Sequence, residues 1–289
     1  MVKAVPQVYI VLPVHDRRQI TAKFVQSLQK QSFSNYHLLL IDDGCRDGTA
    51  DMVADHISHL TVITGTGDWW WAGSLQQGFL WLQRSSIEPE DLILMINDDV
   101  HFEPDFLEIG VQLMATLGQV ILGAQIYDLH TQELVLDGVY VDWRSFTFLP
   151  PPHPDMINCL PTNGIFMRWQ TWQYIGGFYP RLLPHYISDY EFTLRAHAKG
   201  VKLVTDPRLR LYWNTKTTGY GYLENLYDRP FPQFLSAYFS RKSPHNPITL
   251  SIFIALICPW QWRFLNWGRV WKGFLIQCGR YWRATHTKG

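Results

Sequence analysis

The chain has 289 residues, with 25 Lys/Arg against 25 Asp/Glu and a hydrophobic fraction of 47%. That composition excludes a disordered or collagen-like chain, and the length allows one large domain or two small ones with an ample core. The zero net charge hides an asymmetry: residues 1–240 carry 17 bases and 25 acids, a charge of −8, whereas residues 241–289 carry eight bases and no acid.

Val8–Val14 is an apolar, β-rich run, followed by helical spacing over Arg18–Gln31 through Ile20, Phe24 and Leu28. Tyr36–Ile41 reads as a second strand stopped by Asp42-Asp43-Gly44, and Thr49–Ile57 as a helix with Asp47 as a plausible cap. Leu60–Thr64 is a third strand and Ala72–Arg84 a helix; Leu92–Ile96 is a fourth strand stopped by Asn97-Asp98-Asp99, and Pro104–Leu117 a helix. Strands and helices alternating in this way predict an α/β fold with a mostly parallel sheet flanked by helices. Beyond residue 120 the pattern changes. Val120–Tyr127 and Leu134–Val141 read as antiparallel strands, Asn163–Arg168 as a short strand entering a brief helix, Gly176-Gly177 as a turn and Ser188–Lys199 as a helix.

Ligands of parallel α/β sheets bind at the carboxyl ends of the strands. The polar residues that stop the strands are therefore site candidates: Pro13, Val14, His15 and Asp16, then Asp42 and Asp43, Gly65 to Asp68, and Asn97 to Asp99. Adjacent acids after a buried strand are costly unless they meet solvent or a cation, and carboxylates suit a hard divalent ion. A solvated turn is the bland alternative. The first strand ends without G-x-G-x-x-G, which disfavours a dinucleotide dehydrogenase.

Taken in order, Asp42-Asp43-Gly44, Gly65-Thr66-Gly67-Asp68-Trp69-Trp70-Trp71-Ala72-Gly73, Ile96-Asn97-Asp98-Asp99-Val100, Gly176-Gly177-Phe178 and Ser188-Asp189-Tyr190-Glu191-Phe192 resemble the family 2 glycosyltransferases, which have the GT-A fold. The resemblance covers roughly residues 6–220. The Trp-rich segment, with Trp213-Asn214 near Lys216, is most similar to bacterial rhamnosyltransferase-type members. It implies a GT-A domain over 1–240, with a nucleotide-sugar half (about 1–119) and a smaller antiparallel acceptor half (about 120–240). It also implies an inverting transfer from a nucleotide-diphosphate sugar, dTDP- or UDP-linked, to a hydroxyl of a glycan or lipid-linked acceptor in cell-surface polysaccharide synthesis.

Residue by residue, the resemblance assigns Pro13–Asp16, Asp42, Asp43, Gly65, Asp68, Trp70, Gly73, Asn97 and Asp98 to the nucleotide sugar, with Asp42 accepting from the base. Asp99 would coordinate Mg²⁺ or Mn²⁺, aided weakly by Asn97 and Asn214; Asn97 stands where the family's DXD motif has its first Asp, and no late His is present in the matching Leu211–Asn214 region. Asp189 would be the catalytic base, with Trp71, Gly164, His185 and Glu191 on the acceptor side.

The residues themselves leave alternatives open. Ser188-x-x-Glu191 is also a capping box, Trp69–Trp71 could be core, His185 a surface-loop histidine, and Arg195 a helical partner of Glu191. The alternative functions are a nucleotidyltransferase, which lacks a basic Gly-rich triphosphate loop here, and a non-catalytic membrane-associated carbohydrate-binding protein.

The final segment, 241–289, reads as a basic amphipathic tail. At 100° per residue, Phe264, Trp267, Trp271, Phe274, Leu275, Cys278, Tyr281 and Trp282 share one arc. Arg269, Lys272, Arg280 and Arg283 lie opposite, while Leu265 and Ile276 break the pattern. Such a helix suits a membrane interface, and the expectation is peripheral attachment to the inner face of the cell membrane. The alternative is packing on the catalytic domain or on a second copy in a homodimer; nucleic acid is disfavoured by the few bases and the apolar face. The opening residues carry no secretory pattern. The uncharged stretch from His245 to Trp262 is cut by Pro247 and Pro259, so no spanning helix is expected. Four scattered cysteines fit neither a disulfide framework nor a zinc site and suit a reducing cytosol.

Overall fold

Seven apolar residues in a row, Val8–Val14, form β1 and are buried at every position, as a central strand must be when helices cover both sheet faces. The structure, a computed structural model, describes residues 5–213 and 228–286. After β1 come α1 (Arg18–Gln29), β2 (Tyr36–Asp42), α2 (Thr49–Ala54), β3 (Leu60–Thr64), α3 (Trp70–Arg84), β4 (Leu92–Met95), β5 (Val100–His101) and α4 (Phe106–Thr116). The chain continues through β6 (Val120–Asp128), β7 (Leu134–Leu136), β8 (Tyr140–Asp142), β9 (Thr147–Leu149), β10 (Ile165–Arg168), α5 (Trp169–Ile175), α6 (Ser188–Ala198) and β11 (Lys202–Trp213). Helices α7 (Phe231–Tyr238), α8 (Pro247–Ile257) and α9 (Trp260–His286) complete it.

One sheet in the order β3-β2-β1-β4-β10-β6-β11-β5, with β7 on β6, organises the molecule. β3, β2, β1 and β4 are parallel; β10 runs antiparallel to β4 and β6. The period-two alternation of strands sorts the core. Val8, Ile10, Leu12 and Val14 face Phe24, Leu28, Val53 and Phe106 of α1, α2 and α4. Tyr9 and Val11 join Leu75, Phe79, Trp172 and Phe192 of α3, α5 and α6 on the other face. β8 and β9 form a small separate antiparallel hairpin.

Three features differ from the sequence expectation. Lys202–Trp213 is a long strand parallel to β6, which the charged run and Pro207 concealed; the register shifts between Asp206 and Arg210 to accommodate it. Leu134–Val141 is two strands, broken where Gly138 takes φ +79°. The helix expected from Ala72 begins at Trp70.

The C-terminal helices divide the expected apolar arc. Trp267, Phe274, Cys278 and Tyr281 turn inward onto α7, α8 and the β8–β9 hairpin. Asn266 Nδ2 donates to the Trp143 carbonyl at 2.9 Å, and Tyr281 Oη to the Arg229 carbonyl at 2.9 Å. Trp260, Phe264, Trp271, Leu275 and Trp282 point outward, joined by Leu265 and Ile276, the two residues that broke the helical pattern. Among the described residues no helix is long and apolar enough to cross a membrane.

Candidate active site

The parallel register brings the polar strand ends to one edge. Val14 lies beside Asp42, Asp42 beside Thr64, and Val11 beside Met95. Pro13–Asp16, Asp42-Asp43, Gly65–Asp68 and Asn97–Asp99 therefore converge. Asp42 and Asp43 are both buried. Asp42 Oδ1 accepts from the Cys45 amide at 2.7 Å. Asp43 accepts from the amides of Gly67 (2.9 Å), Trp69 (3.0 Å) and Trp70 (3.0 Å), so it holds the whole Gly65–Trp70 segment against β2. The His15 ring donates from Nδ1 to the Asp43 carbonyl at 2.6 Å, and Asp16 Oδ1 accepts from the Arg46 amide at 2.7 Å. Asp68 Oδ1 accepts from Thr66 Oγ1 at 2.6 Å. A Cβ at Gly73 would meet Trp69 Cβ at 3.0 Å, so helix α3 and the Trp69 side chain approach closely there.

At the end of β4 the acids are tied to α1. Arg17 Nη1 lies 3.0 Å from Asp98 Oδ1, and Nη2 3.1 Å from Asp99 Oδ2. Thr21 Oγ1 donates to Asp98 Oδ2 at 2.8 Å. Burial pushes the Asp98 carboxyl up to about 6 despite the opposing pull of Arg17. Arg17 and Thr21 carry no motif that marks them as site residues in the sequence, although their four-residue spacing at the start of α1 places both on one helical face. Asn97 Oδ1 and Asp99 Oδ1 are buried with no hydrogen-bond partner among the described residues. Two orphaned oxygens beside a carboxylate form a donor set that fits a hard divalent cation. Asn214 and Lys216 lie outside the described residues. A second acidic group, Asp16, Cys45 and Asp47, does not fit one: its acids are taken by backbone amides and Thr49, and burial pushes the Cys45 thiol up to about 12.

β10 carries the geometry across to the other half. Ile165 pairs with Met95, so Gly164 sits beside the strand end that leads into Asn97. Gly164 has φ +152°, and a Cβ there would run into the Leu211 side chain. Two residues earlier, Thr162 Oγ1 accepts from the Trp71 indole at 3.0 Å, while its amide donates to Asp189. Asp189 Oδ1 also accepts from the Tyr190 amide at 2.9 Å. Desolvation raises its carboxyl to about 6 against these stabilising amides.

Asp189 sits in the first turn of α6, preceded by Ile187 at φ +64°, an outlier for a β-branched residue and a place where backbone strain is stored. The capping-box alternative fails: Ile187 occupies the cap with no side-chain hydrogen bond, and Ser188 Oγ donates instead to the His185 carbonyl at 2.6 Å. Glu191 is buried and paired with Arg195 at 2.8 and 3.1 Å, and Arg195 also donates to the Ile175 and Gly177 carbonyls. His185 lies 5.5 Å, ring to ring, from Trp70. Nothing in the local sequence pattern marks Thr162 either.

The same architecture recurs in solved structures. S. aureus TarS is 15% identical with a TM-score of 0.59, covering 89% of this chain and 50% of that one, so the chain spans half the length of TarS. TarS residues 1–349 in complex with UDP-GlcNAc is 13% identical with a TM-score of 0.59, covering 94% of this chain and 92% of that one. The mannosyltransferase PcManGT from Pyrobaculum calidifontis, in complex with GDP-Man and Mn²⁺, is 14% identical with a TM-score of 0.56, covering 88% and 74%. No curated protein matches the sequence. The family model for glycosyl transferase family 2 matches residues 9–169, more than half of the chain, from β1 to the first residue of α5. With the strand-end acids, the Gly65–Trp70 segment and the GT-A sheet all inside or adjoining that span, this chain belongs to glycosyl transferase family 2.

Proposed function

We propose that the chain is an inverting glycosyltransferase that moves a hexosyl or rhamnosyl group from a nucleotide-diphosphate donor to a hydroxyl of a glycan or lipid-linked acceptor. The observation that carries the reading is the position of Asp189. It is a desolvated carboxyl raised to about 6, linked through Thr162 and Gly164 to the strand end bearing Asn97–Asp99. A base of that pKa is ionised at neutral pH and still accepts a proton from an attacking alcohol. Asp189 takes the hydroxyl proton, the alcohol oxygen bonds to the anomeric carbon from the face opposite the leaving group, and the nucleoside diphosphate departs with the bonding pair. One attack on one face inverts that centre.

The nucleotide is assigned to the edge formed by Pro13–Asp16, Asp42-Asp43 and Gly65–Asp68, with Trp70 and Gly73 toward its sugar. Asp43 keeps that edge rigid by fixing the Gly65–Trp70 amides. A divalent cation would be held by Asp99 with Asn97, where it neutralises the charge of the diphosphate. Trp71, Gly164 and His185 are assigned to the acceptor side. The bidentate pairing of Glu191 with Arg195 gives Glu191 the task of holding α6 to the Gly176-Gly177 turn rather than touching substrate. We assign the enzyme to cell-surface polysaccharide synthesis at the cytoplasmic face of a membrane, supported by the outward apolar stripe of α9 with its nearby bases.

The test is a thermal-shift screen of UDP, dTDP and GDP and their sugars with and without Mn²⁺, followed by product analysis. A ligand that binds only the native state raises its melting temperature. Release of nucleoside diphosphate with inverted configuration supports the reading. Release of pyrophosphate, or binding without turnover in every donor tested, overturns it.

A further inference from the structure

Near Asp189, Trp70, assigned above toward the donor sugar, and His185, assigned to the acceptor side, meet a third residue, Lys242, that the reaction as described does not use. Trp70 opens α3 at φ +57°, a strained backbone conformation for a bulky residue, and its amide is pinned by Asp43 at 3.0 Å. The strained backbone presents the indole to two partners. The His185 ring centroid is 5.5 Å away, with Tyr186 4.9 Å beyond it, and Lys242 Nζ stands 5.7 Å from the indole centroid. Lys242 is exposed, comes from the connection between α7 and α8, and lies far beyond the residues matched by the family model. Among the described residues no acid pairs with it. His185 Nδ1 is buried and without a hydrogen-bond partner among the described residues. Burial first, and Lys242 second, lower the pKa of His185, which favours the neutral imidazole.

The loop that carries His185 into the proposed base is tied to α3 and to the start of α6. The Ala72 amide donates to the Pro184 carbonyl at 3.0 Å, and Ser188 Oγ to the His185 carbonyl at 2.6 Å. An ammonium with no acid partner among the described residues, over an indole face and beside an imidazole with an unused polar atom, is matched by an anion carried on a sugar ring: the ring covers the indole and the anion meets the ammonium. The donor diphosphate is assigned to Asn97–Asp99, whereas the loop bearing His185 leads directly into Asp189, the proposed base of the acceptor hydroxyl, so the anion is assigned to the acceptor. We propose that Trp70, His185 and Lys242 form a subsite for an anionic acceptor, with Lys242 of the basic C-terminal segment reading a phosphate or carboxylate next to the hydroxyl that is glycosylated. This rests on the glycosyltransferase reading and names its acceptor class.

The experiment follows the indole N–H signals of ¹⁵N-labelled full-length protein, with the Trp70 signal assigned through Trp70→Phe. Methyl phosphate and glucuronate are titrated separately, and UDP with Mn²⁺ is titrated in parallel. A shift of the Trp70 signal by either anion, weakened tenfold or more in Lys242→Gln and retained in Lys242→Arg, supports the subsite. The anion that binds identifies a phosphate-linked or a uronate acceptor. Lys242 is exposed, so its replacement leaves the fold intact. If UDP binds but neither anion moves the Trp70 signal, or if Lys242→Gln binds them as the parent does, the subsite is overturned while the donor reading stands. Failure of UDP and every other nucleotide to bind would instead remove the donor reading.

Discussion

Arg17 and Asp98 form an ion pair across the carboxyl end of the sheet, with Nη1 3.0 Å from Oδ1 and the Asp98 side chain 1% exposed. A buried carboxylate in that position exists as an anion only because a guanidinium neutralises it. Removing one partner of a buried pair leaves the other uncompensated. Arg17 is partly exposed, so water softens the loss. Arg17→Ala is expected to lower stability by about 2 kcal/mol at pH 7.5, with a smaller loss at pH 5, where Asp98 takes up a proton. Denaturant melts at the two pH values check this. Adding Asp98→Asn to Arg17→Ala should recover most of the loss, since the orphaned charge is gone.

Asp189 gives a pH signature of its own. Its carboxyl is raised to about 6 from an ordinary 3.8. Between those values the folded chain binds more protons than the unfolded one, so the stability associated with this group is full below the ordinary value and is lost as pH rises through about 6. Asp189→Asn keeps an oxygen for the Thr162 and Tyr190 amides and removes the buried charge. The variant should therefore be more stable than the parent at pH 7.5, by on the order of 1 kcal/mol, with the gap closing toward pH 4. Transfer should fall by roughly 10²–10⁴-fold, the range ascribed to a positioned base, while the parent's kcat/KM climbs with pH through about 6. Full transfer by the Asn variant would end the assignment of Asp189 as base.

Gly65, on the proposed nucleotide edge, has no room for a side chain. A Cβ there would lie 2.7 Å from the Trp69 ring and 2.8 Å from Asp43 Oδ1. Asp43 cannot move without releasing the amides of Gly67, Trp69 and Trp70. Gly65→Ala is expected to cost about 1–3 kcal/mol, the usual range for forced overpacking, and to weaken UDP binding at least tenfold. Isothermal titration with UDP and Mn²⁺ measures the second effect, and an affinity equal to the parent's would separate Gly65 from the nucleotide site.

The first four strands and the acids that stop them were legible because each strand is a continuous apolar run ended by an abrupt polar turn, the pattern of a sheet covered on both faces. β11 was not: Asp206-Pro207 interrupts Lys202–Trp213 at the register shift, so the alternation of Arg208-Leu209-Arg210-Leu211 is left as a run too short to mark a twelve-residue strand. Within the site, residue types signalled chemistry, but partners did not show. Asp43 reads as a ligand contact in sequence, yet its three amide partners are 24 to 27 residues away. Thr162 and Arg17 matter through contacts 91 and 82 residues distant, which no local spacing reports. The helical wheel of the tail failed differently: it identified apolar residues but not which of them the rest of the chain already covers.

That division of the tail makes the proposed membrane attachment testable without unfolding the protein. Phe274, Cys278 and Tyr281 are used internally, packed against Phe234 and Tyr238. Trp260 and Phe264 are each 80% exposed and Leu275 is 65% exposed. Apolar side chains this exposed contribute little to folding, but each can enter a lipid interface, where Trp in particular is favoured. The triple substitution Trp260→Ser, Phe264→Ser, Leu275→Ser should leave the melting temperature within about 2 °C of the parent and lower binding to vesicles of anionic phospholipid at least tenfold. Tyr281→Ser, by contrast, removes a buried ring and its bond to the Arg229 carbonyl and should destabilise by roughly 3 kcal/mol. Co-sedimentation with vesicles, paired with sedimentation velocity, separates the occupants of this face. Loss of vesicle binding supports lipid, whereas a dimer in the parent that the triple variant dissolves, with vesicle binding unchanged, assigns the stripe to a second copy of the chain.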